Sequence, residues 1–227
     1  MYFKKNILII GYGDIGRRLR AHCNQDINIY ALSRGIVKEE GVNHFSWDWL
    51  LSEPFPIKDI NFDFVIVIPK PSEMSESGYV DGFLTSIKNI NDALKFITYN
   101  NIIAISSTRV FGEDQTGNLT EDIEPIPGDF RGKIIKDYEL SLRDCYKAKL
   151  TILRFSGLYS DTSKKHSFNR LNRNSAAKII DFLINKPTPI IETKNNIIHC
   201  SEDITMDSSK RCISNIKLKE LGFSFDF

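Results

Sequence analysis

A chain of 227 residues that is 41% hydrophobic can bury a full core, and its length allows one large domain or two small ones. Thirty basic and 29 acidic side chains leave a net charge of +1, which excludes a global field steering the protein toward nucleic acid or an anionic membrane. Small-molecule partners are the expectation.

The chain opens on "MYFKKNILIIGYG", two lysines ahead of an apolar run. That run has only about five residues before Gly11, too short for a secretory core or a membrane span, so a cytoplasmic protein is expected. Apolar runs then alternate with amphipathic stretches, the pattern of strands buried on both faces and joined by crossover helices. The runs are Asn6–Gly11, Ile27–Leu32, Phe62–Pro69, Asn101–Ser107 and Leu150–Phe155, followed by the shorter "TPIIE" (188–192) and "NIIHCS" (196–201). Helices are expected over Asp14–Cys23, Tyr79–Tyr99, Arg131–Cys145 and Ser175–Ile184. In the first, Ile15, Leu19 and Cys23 recur at helical spacing; in the second, Phe83, Ile87, Ile90, Leu94 and Ile97 share one face. Ala176, Ile179, Ile180 and Leu183 do the same in the fourth. The fold class is therefore α/β, a Rossmann-type doubly wound parallel sheet with a small C-terminal extension packed on it. With no repeat, low-complexity tract or linker, residues 1–227 read as one domain.

"GYGDIG" follows the first strand and opens the first helix. Gly11 makes the tight turn, Gly13 lets backbone approach a pyrophosphate, and Gly16 lets helix pack on strand. Asp14 and Ile15 between them complete a loop whose phosphates would sit at the helix N-terminus. Glycines also serve plain turns, but the strand–loop–helix context favours dinucleotide binding.

The second strand ends "ALSRG", with no acid to hold ribose hydroxyls; the next acid is Glu39. Ser33 and Arg34 stand there instead. A hydroxyl and a guanidinium can hold a 2′-phosphate that a carboxylate would repel, so NADP(H) is expected ahead of NAD(H). A solvated surface arginine is the alternative. The missing acid counts equally against FAD and S-adenosylmethionine. In "FSWDW", after a third strand, Asp48 could hydrogen-bond an adenine amino group, while Trp47 and Trp49 read as packing residues.

Cys23, Cys145, Cys200 and Cys212 lie far apart with no CxxC pair. His22, His44, His166 and His199 form no metal-ligand spacing with them, so reduced thiols and no metal are expected.

From "SSTRVFG" (106–112) onward the chain resembles a known family. Taken with "GYGDIG", "LTEDIEPIP" and "RFSGLYS", this stretch resembles the extended, atypical short-chain dehydrogenase/reductase superfamily in its NAD-dependent epimerase/dehydratase branch. The resemblance implies that Ser107, four residues before Phe111, hydrogen-bonds a reacting carbonyl or hydroxyl, although serine at a strand end also satisfies backbone groups. "RFSGLYS" keeps Arg154, Gly157 and Tyr159 of the family's turn. "FNRLNRNSAAKIIDFL" and "IIHCSEDIT" resemble its later segments more loosely.

Two departures stand out. Family members carry a Tyr-x-x-x-Lys pair on the helix after the serine strand. Here Lys133 could be the lysine that binds the nicotinamide ribose, but the residue four before it is Asp129, and no tyrosine in the chain has a lysine four residues later. The segment 160–168 is also short, so residues 156–227 read as a reduced, dependent portion on the substrate side. Arg170, Asn172 and Arg173 there could meet a phosphate or sugar, or form a polar loop.

A positioned acid/base contributes about 10²- to 10⁴-fold in rate. A carboxylate at its ordinary pKa of about 4 is ionised at neutral pH and cannot supply that proton, and "PGDFRGK" (127–133) reads as an exposed helix start with Asp129 as its N-cap. Tyr138 and Tyr159 are weak stand-ins. The sequence thus implies an NAD(P)(H)-binding reductase or epimerase/dehydratase relative acting on a small carbonyl or sugar-nucleotide substrate, with a homodimer compatible. The alternative is a non-catalytic NADP(H)-binding regulatory or partner-binding module.

Overall fold

The computed structural model describes residues 4–51, 53–160, 168–186, 196–204 and 207–225. Its elements in chain order are β1 (Lys5–Ile10), α1 (Asp14–His22), β2 (Ile27–Ser33), β3 (Val42–Ser46), β4 (Asn61–Val67) and α2 (Glu76–Tyr79). A π-helical turn, Val80–Thr85, leads into α3 (Ser86–Leu94), and β5 (Thr98–Ser107), β6 (Gly117–Leu119), α4 (Phe130–Tyr146), β7 (Leu150–Phe155) and β8 (Gly157–Tyr159) follow. The chain continues through β9 (Arg170–Asn172), α5 (Arg173–Asn185), β10 (Ile197–Cys200), β11 (Arg211–Ile213) and α6 (Ile216–Glu220).

Seven strands form one sheet in the order β3-β2-β1-β4-β5-β7-β10, and every neighbouring pair is parallel. Alternation along the strands feeds two cores. Leu8, Ile10, Val65, Val67, Ile102 and Ala104 face Ile87 and Ile90 of α3 and Ile135, Tyr138 and Leu142 of α4. Ile7, Ile9, Ile29, Ile66, Ile103 and Ile105 face Ile15 and Leu19 of α1 and Ala176, Ile179, Ile180 and Leu183 of α5. Both faces are covered, as a parallel sheet requires. Truncating one of the leucines or isoleucines among these to alanine should cost about 2–5 kcal/mol.

The expected fold class holds, with local differences. The helix expected over Tyr79–Tyr99 is broken by the π turn and stops at Leu94, because Thr98 and Tyr99 pair with Asn61 and Phe62 as the start of β5. Gly82 lies in that π turn, where a Cβ would come within 2.3 Å of the Lys70 carbonyl oxygen; glycine allows the helix to rest on the loop after β4. The edge strand β3 is only half-buried, which is why it does not stand out as an apolar run. The C-terminal portion supplies the seventh sheet strand and α5. Two short parallel pairs, β6 with β11 and β8 with β9, also have no sequence signature. The "TPIIE" strand expectation lies outside the described residues. Among the described residues, no helix is long and apolar enough to cross a membrane.

Candidate functional site

The order of the sheet reverses between β1 and β4, and their C-terminal ends open the crevice in which ligands of doubly wound sheets bind. A cleft of about 620 Å³ lies there, lined by Gly11, Gly13, Asp14, Ile15, Ser33, Arg34, Trp49, Ile68, Pro69, Leu158 and Arg173 among others. The three glycines of the loop are there for different reasons. Gly11 has φ +93° and a Cβ would lie 2.3 Å from the Ile68 carbonyl oxygen, so the turn itself demands glycine. At Gly16 a Cβ would collide with the buried Tyr12 ring at 2.8 Å. Gly13 is different: its backbone (φ −111°, ψ −146°) is neither helical nor extended, and the nearest atom to a Cβ would be 3.9 Å away. No neighbouring atom fills the position of a side chain there, which leaves room for a ligand. Gly13 is also the N-cap of α1 and offers no side-chain cap, leaving first-turn amides to a ligand. These residues fit a dinucleotide diphosphate.

At the end of β2, Arg34 is exposed on the cleft wall; its carbonyl accepts from Ser46 Oγ (3.0 Å), and its guanidinium makes no hydrogen bond or ion pair among the described residues. Ser33 is more committed. Its Oγ donates to the Gly35 carbonyl (2.9 Å) and lies 2.7 Å from His44 Nε2. His44 Nδ1 accepts from the Val37 amide (3.4 Å), so Nε2 carries the proton toward Ser33, and burial lowers the His44 pKa. Glu39 accepts from the Tyr12 hydroxyl (2.8 Å) and does not line the cleft. Asp48 does not line it either; its Oδ1 accepts from the Leu50 amide (3.0 Å), closing a turn. Trp47 is a packing residue as expected, but Trp49, packed edge-on against it, is on the cleft wall.

Ser107 lines a second cleft, of about 580 Å³, with Arg109, Phe111, Glu113, Asp114, Asp129, Asn169 and Arg211. Among the described residues, no tyrosine or lysine is in this lining. Most of its polar groups already have protein partners. Asp129 Oδ1 accepts from the Gly132 amide (2.8 Å), the capping role expected for it, and Oδ2 pairs with Arg109 (3.1 Å). Arg211 donates to the Phe111 carbonyl (2.7 Å), and Ser107 Oγ accepts from the Arg109 amide (3.2 Å).

Lys133 requires a correction. It is exposed on α4 and lines neither cleft, only a shallow hollow with Phe130, Lys136 and Asp137. The register of α4 is set by Glu139, whose buried carboxylate takes two hydrogen bonds from Arg154 on β7 (2.9 and 2.7 Å) and one from Ser106 on β5 (2.6 Å). Six residues earlier, Lys133 is rotated by roughly 120° from that inward face. Gly132 closes the slot between: a Cβ there would lie 2.5 Å from the Arg109 carbonyl oxygen, so the first turn of α4 meets the serine turn at backbone distance. Tyr138 is fully buried against Phe83, and burial pushes its hydroxyl well above the ordinary range. The Tyr159 hydroxyl donates to Glu202 (2.8 Å).

One residue escaped the sequence reading. Glu139 had a signal: a carboxylate among Ile135, Leu142 and Tyr146 at helical spacing points to a buried partner. Arg173, read from the sequence as a residue that could meet a phosphate or sugar or form a polar loop, lies in the glycine cleft, a placement with no local signal because its neighbours there lie about 160 residues away in the chain.

No family model matches the sequence, and no curated protein matches it. Solved structures do share the fold. A protein assigned as an NAD-dependent epimerase/dehydratase from Methylobacillus flagellatus superposes with a TM-score of 0.72 at 19% identity, over 98% of this chain and 93% of that one. UDP-glucuronic acid 4-epimerase from Bacillus cereus, solved with NAD, gives 0.71 at 16% identity over 88% and 78%. Uronate dehydrogenase from Agrobacterium tumefaciens gives 0.72 at 14% identity over 96% and 83%.

Proposed function

We propose that this chain is an atypical member of the extended short-chain dehydrogenase/reductase superfamily that binds a nicotinamide dinucleotide, NADP(H) ahead of NAD(H), in the cleft at the β1–β4 switch point. The observation that carries the reading is Gly13, a glycine on the cleft wall at the start of α1 with open space where a side chain would stand. The α1 N-terminus and Gly13 would hold the diphosphate, Arg34 a 2′-phosphate, and Trp49 with Ile15 and Ile68 would flank the apolar parts. Ser33, its proton already given to Gly35, is a support for this corner more than a phosphate donor. The cofactor, when bound, supplies hydride chemistry.

On this reading the substrate is a small carbonyl compound or sugar nucleotide, seated in the second cleft with Ser107 donating to its oxygen. Superposition with proteins named for sugar-acid and nucleotide-sugar chemistry supports that class. Proton transfer falls to water or to a group brought by the substrate, because among the described residues no tyrosine or lysine lines the cleft.

Titration of the purified protein with NADPH and, in parallel, NADH, read by Trp49 fluorescence, tests the cofactor assignment. Saturable binding with NADPH tighter is expected; no binding of either dinucleotide would sink it. Replacing Ser107 by alanine should abolish turnover of any carbonyl substrate found.

That no tyrosine or lysine lines the Ser107 cleft among the described residues favours a second reading: a non-catalytic NADP(H)-binding module that reports redox state or stabilises a partner complex. Dinucleotide binding without turnover across a carbonyl substrate panel would select it.

A further inference from the structure

We infer that Arg173 is a diphosphate-binding residue of the glycine cleft, poised there by Asp14, and that Asp14 moderates dinucleotide affinity. The inference rests on the dinucleotide reading and extends it to a residue from the opposite end of the chain.

Arg173 is the first residue of α5, whose start is fixed by Asn172 Oδ1 accepting from the Asn174 amide (2.8 Å). Because α5 packs along α1 in the second core, its first residue comes to the first turn of α1. The guanidinium lines the same cleft as Gly11, Gly13 and Arg34. Its Nη1 donates to Asp14 Oδ2 (2.9 Å), and its Nε is buried with no partner among the described residues. Arg18 holds the other carboxylate oxygen (Nε to Oδ1, 3.0 Å) and donates to Asn174 Oδ1 (2.5 Å).

Asp14 is the unusual component. A carboxylate on the wall of a phosphate site repels a ligand carrying two negative charges. Burial opposes its ionisation, but hydrogen bonds from Arg173 and Arg18 hold the Asp14 carboxyl below the ordinary range, so it stays charged. Two guanidiniums against one carboxylate leave one net positive charge beside a helix end that is itself positive. Of the two guanidiniums, Arg173 is the one on the cleft wall. A planar fork with unspent donors matches two non-bridging phosphate oxygens. Arg34 would then serve the 2′ position, and Arg173 the bridge common to both dinucleotides.

The test uses the full chain, with NADH, NADPH and ADP-ribose titrated calorimetrically into the wild type, Arg173→Gln, Arg173→Lys, Asp14→Asn and the double variant Asp14→Asn/Arg173→Gln. Loss of a charge-assisted fork should weaken all three ligands alike, by about tenfold or more, with lysine restoring part of the loss. Asp14→Asn should tighten all three, and the double variant should fall between the two single variants. If Arg173 only ties α5 to α1, Arg173→Gln lowers the thermal midpoint and leaves the three affinities within about twofold, which overturns the inference while the cofactor reading stands. A wild type that binds none of the three ligands overturns both.

Discussion

The glycine cleft and the Ser107 cleft lie along the same edge of one parallel sheet, yet they spend their polar groups differently. Around the glycine loop, side-chain donors are left over: among the described residues the Arg34 guanidinium has no partner, and Arg173 donates from Nη1 to Asp14 while its Nε has no partner. Around Ser107 the chain answers itself, with Asp129 capping α4 and pairing with Arg109, Arg211 turned to a backbone carbonyl, and Ser106 held by the Glu139–Arg154 pair. Unspent donors at a sheet edge mark a place built for a ligand; satisfied ones mark a place built for stability.

The largest effect that would expose this difference lies under the Ser107 side. Glu139→Ala leaves Arg154 buried without a counter-charge and should cost about 3–5 kcal/mol, measured by urea unfolding. A loss under about 1 kcal/mol would mean that the pair does not hold this edge together.

The same network predicts a pH dependence. Burial, reinforced by the Arg154 charge, lowers His199 to about 3, so the folded protein keeps it neutral while the unfolded chain protonates it near 6.5. Between those values the unfolded state binds more protons, and stability should fall as pH drops, by up to about 1.4 kcal/mol per pH unit. Glu121, raised by burial, works in the opposite sense over the carboxylate range, since its folded form gains the proton first. His199→Gln should flatten the slope between pH 6.5 and 5; an unchanged slope would assign the effect elsewhere.

On the glycine side, Gly13→Ala should weaken NADPH binding by at least about tenfold, close to 1.4 kcal/mol, measured under conditions where the urea midpoint shows the variant folded. Equal affinity would show that the space beside Gly13 is not used by a ligand. The smallest effects belong to the helix start. Asp129→Ala should cost about 1 kcal/mol as a lost cap. Lys133→Ala should change stability by no more than about 0.5 kcal/mol and leave NADPH affinity unchanged, whereas a marked affinity loss would restore it to the cofactor site.

Much of the fold was legible residue by residue. "NILIIG", "LTILRF" and the helical spacing in 14–23 and 175–184 announce their elements because burial on both faces of a parallel strand, or on one stripe of a helix, leaves a local pattern. Asp129 as a cap was legible for the same reason, since capping involves residues three apart. The break at Gly82 and the early end of α3 were not, because both answer to the loop after β4 and to pairing with Asn61, contacts that no local window contains.

For the site, the sequence by itself determined the glycine loop, the missing acid after β2 and the missing Tyr-x-x-x-Lys. Only the tertiary structure decided that Lys133 lies in a hollow apart from the Ser107 cleft, that Ser33 is already committed to Gly35 and His44, and that Arg173 stands beside Asp14. The reason is physical: periodicity is written over a few residues, whereas hydrogen-bond partners are chosen across the fold, and the chain from Asp14 to Arg173 spans 159 positions.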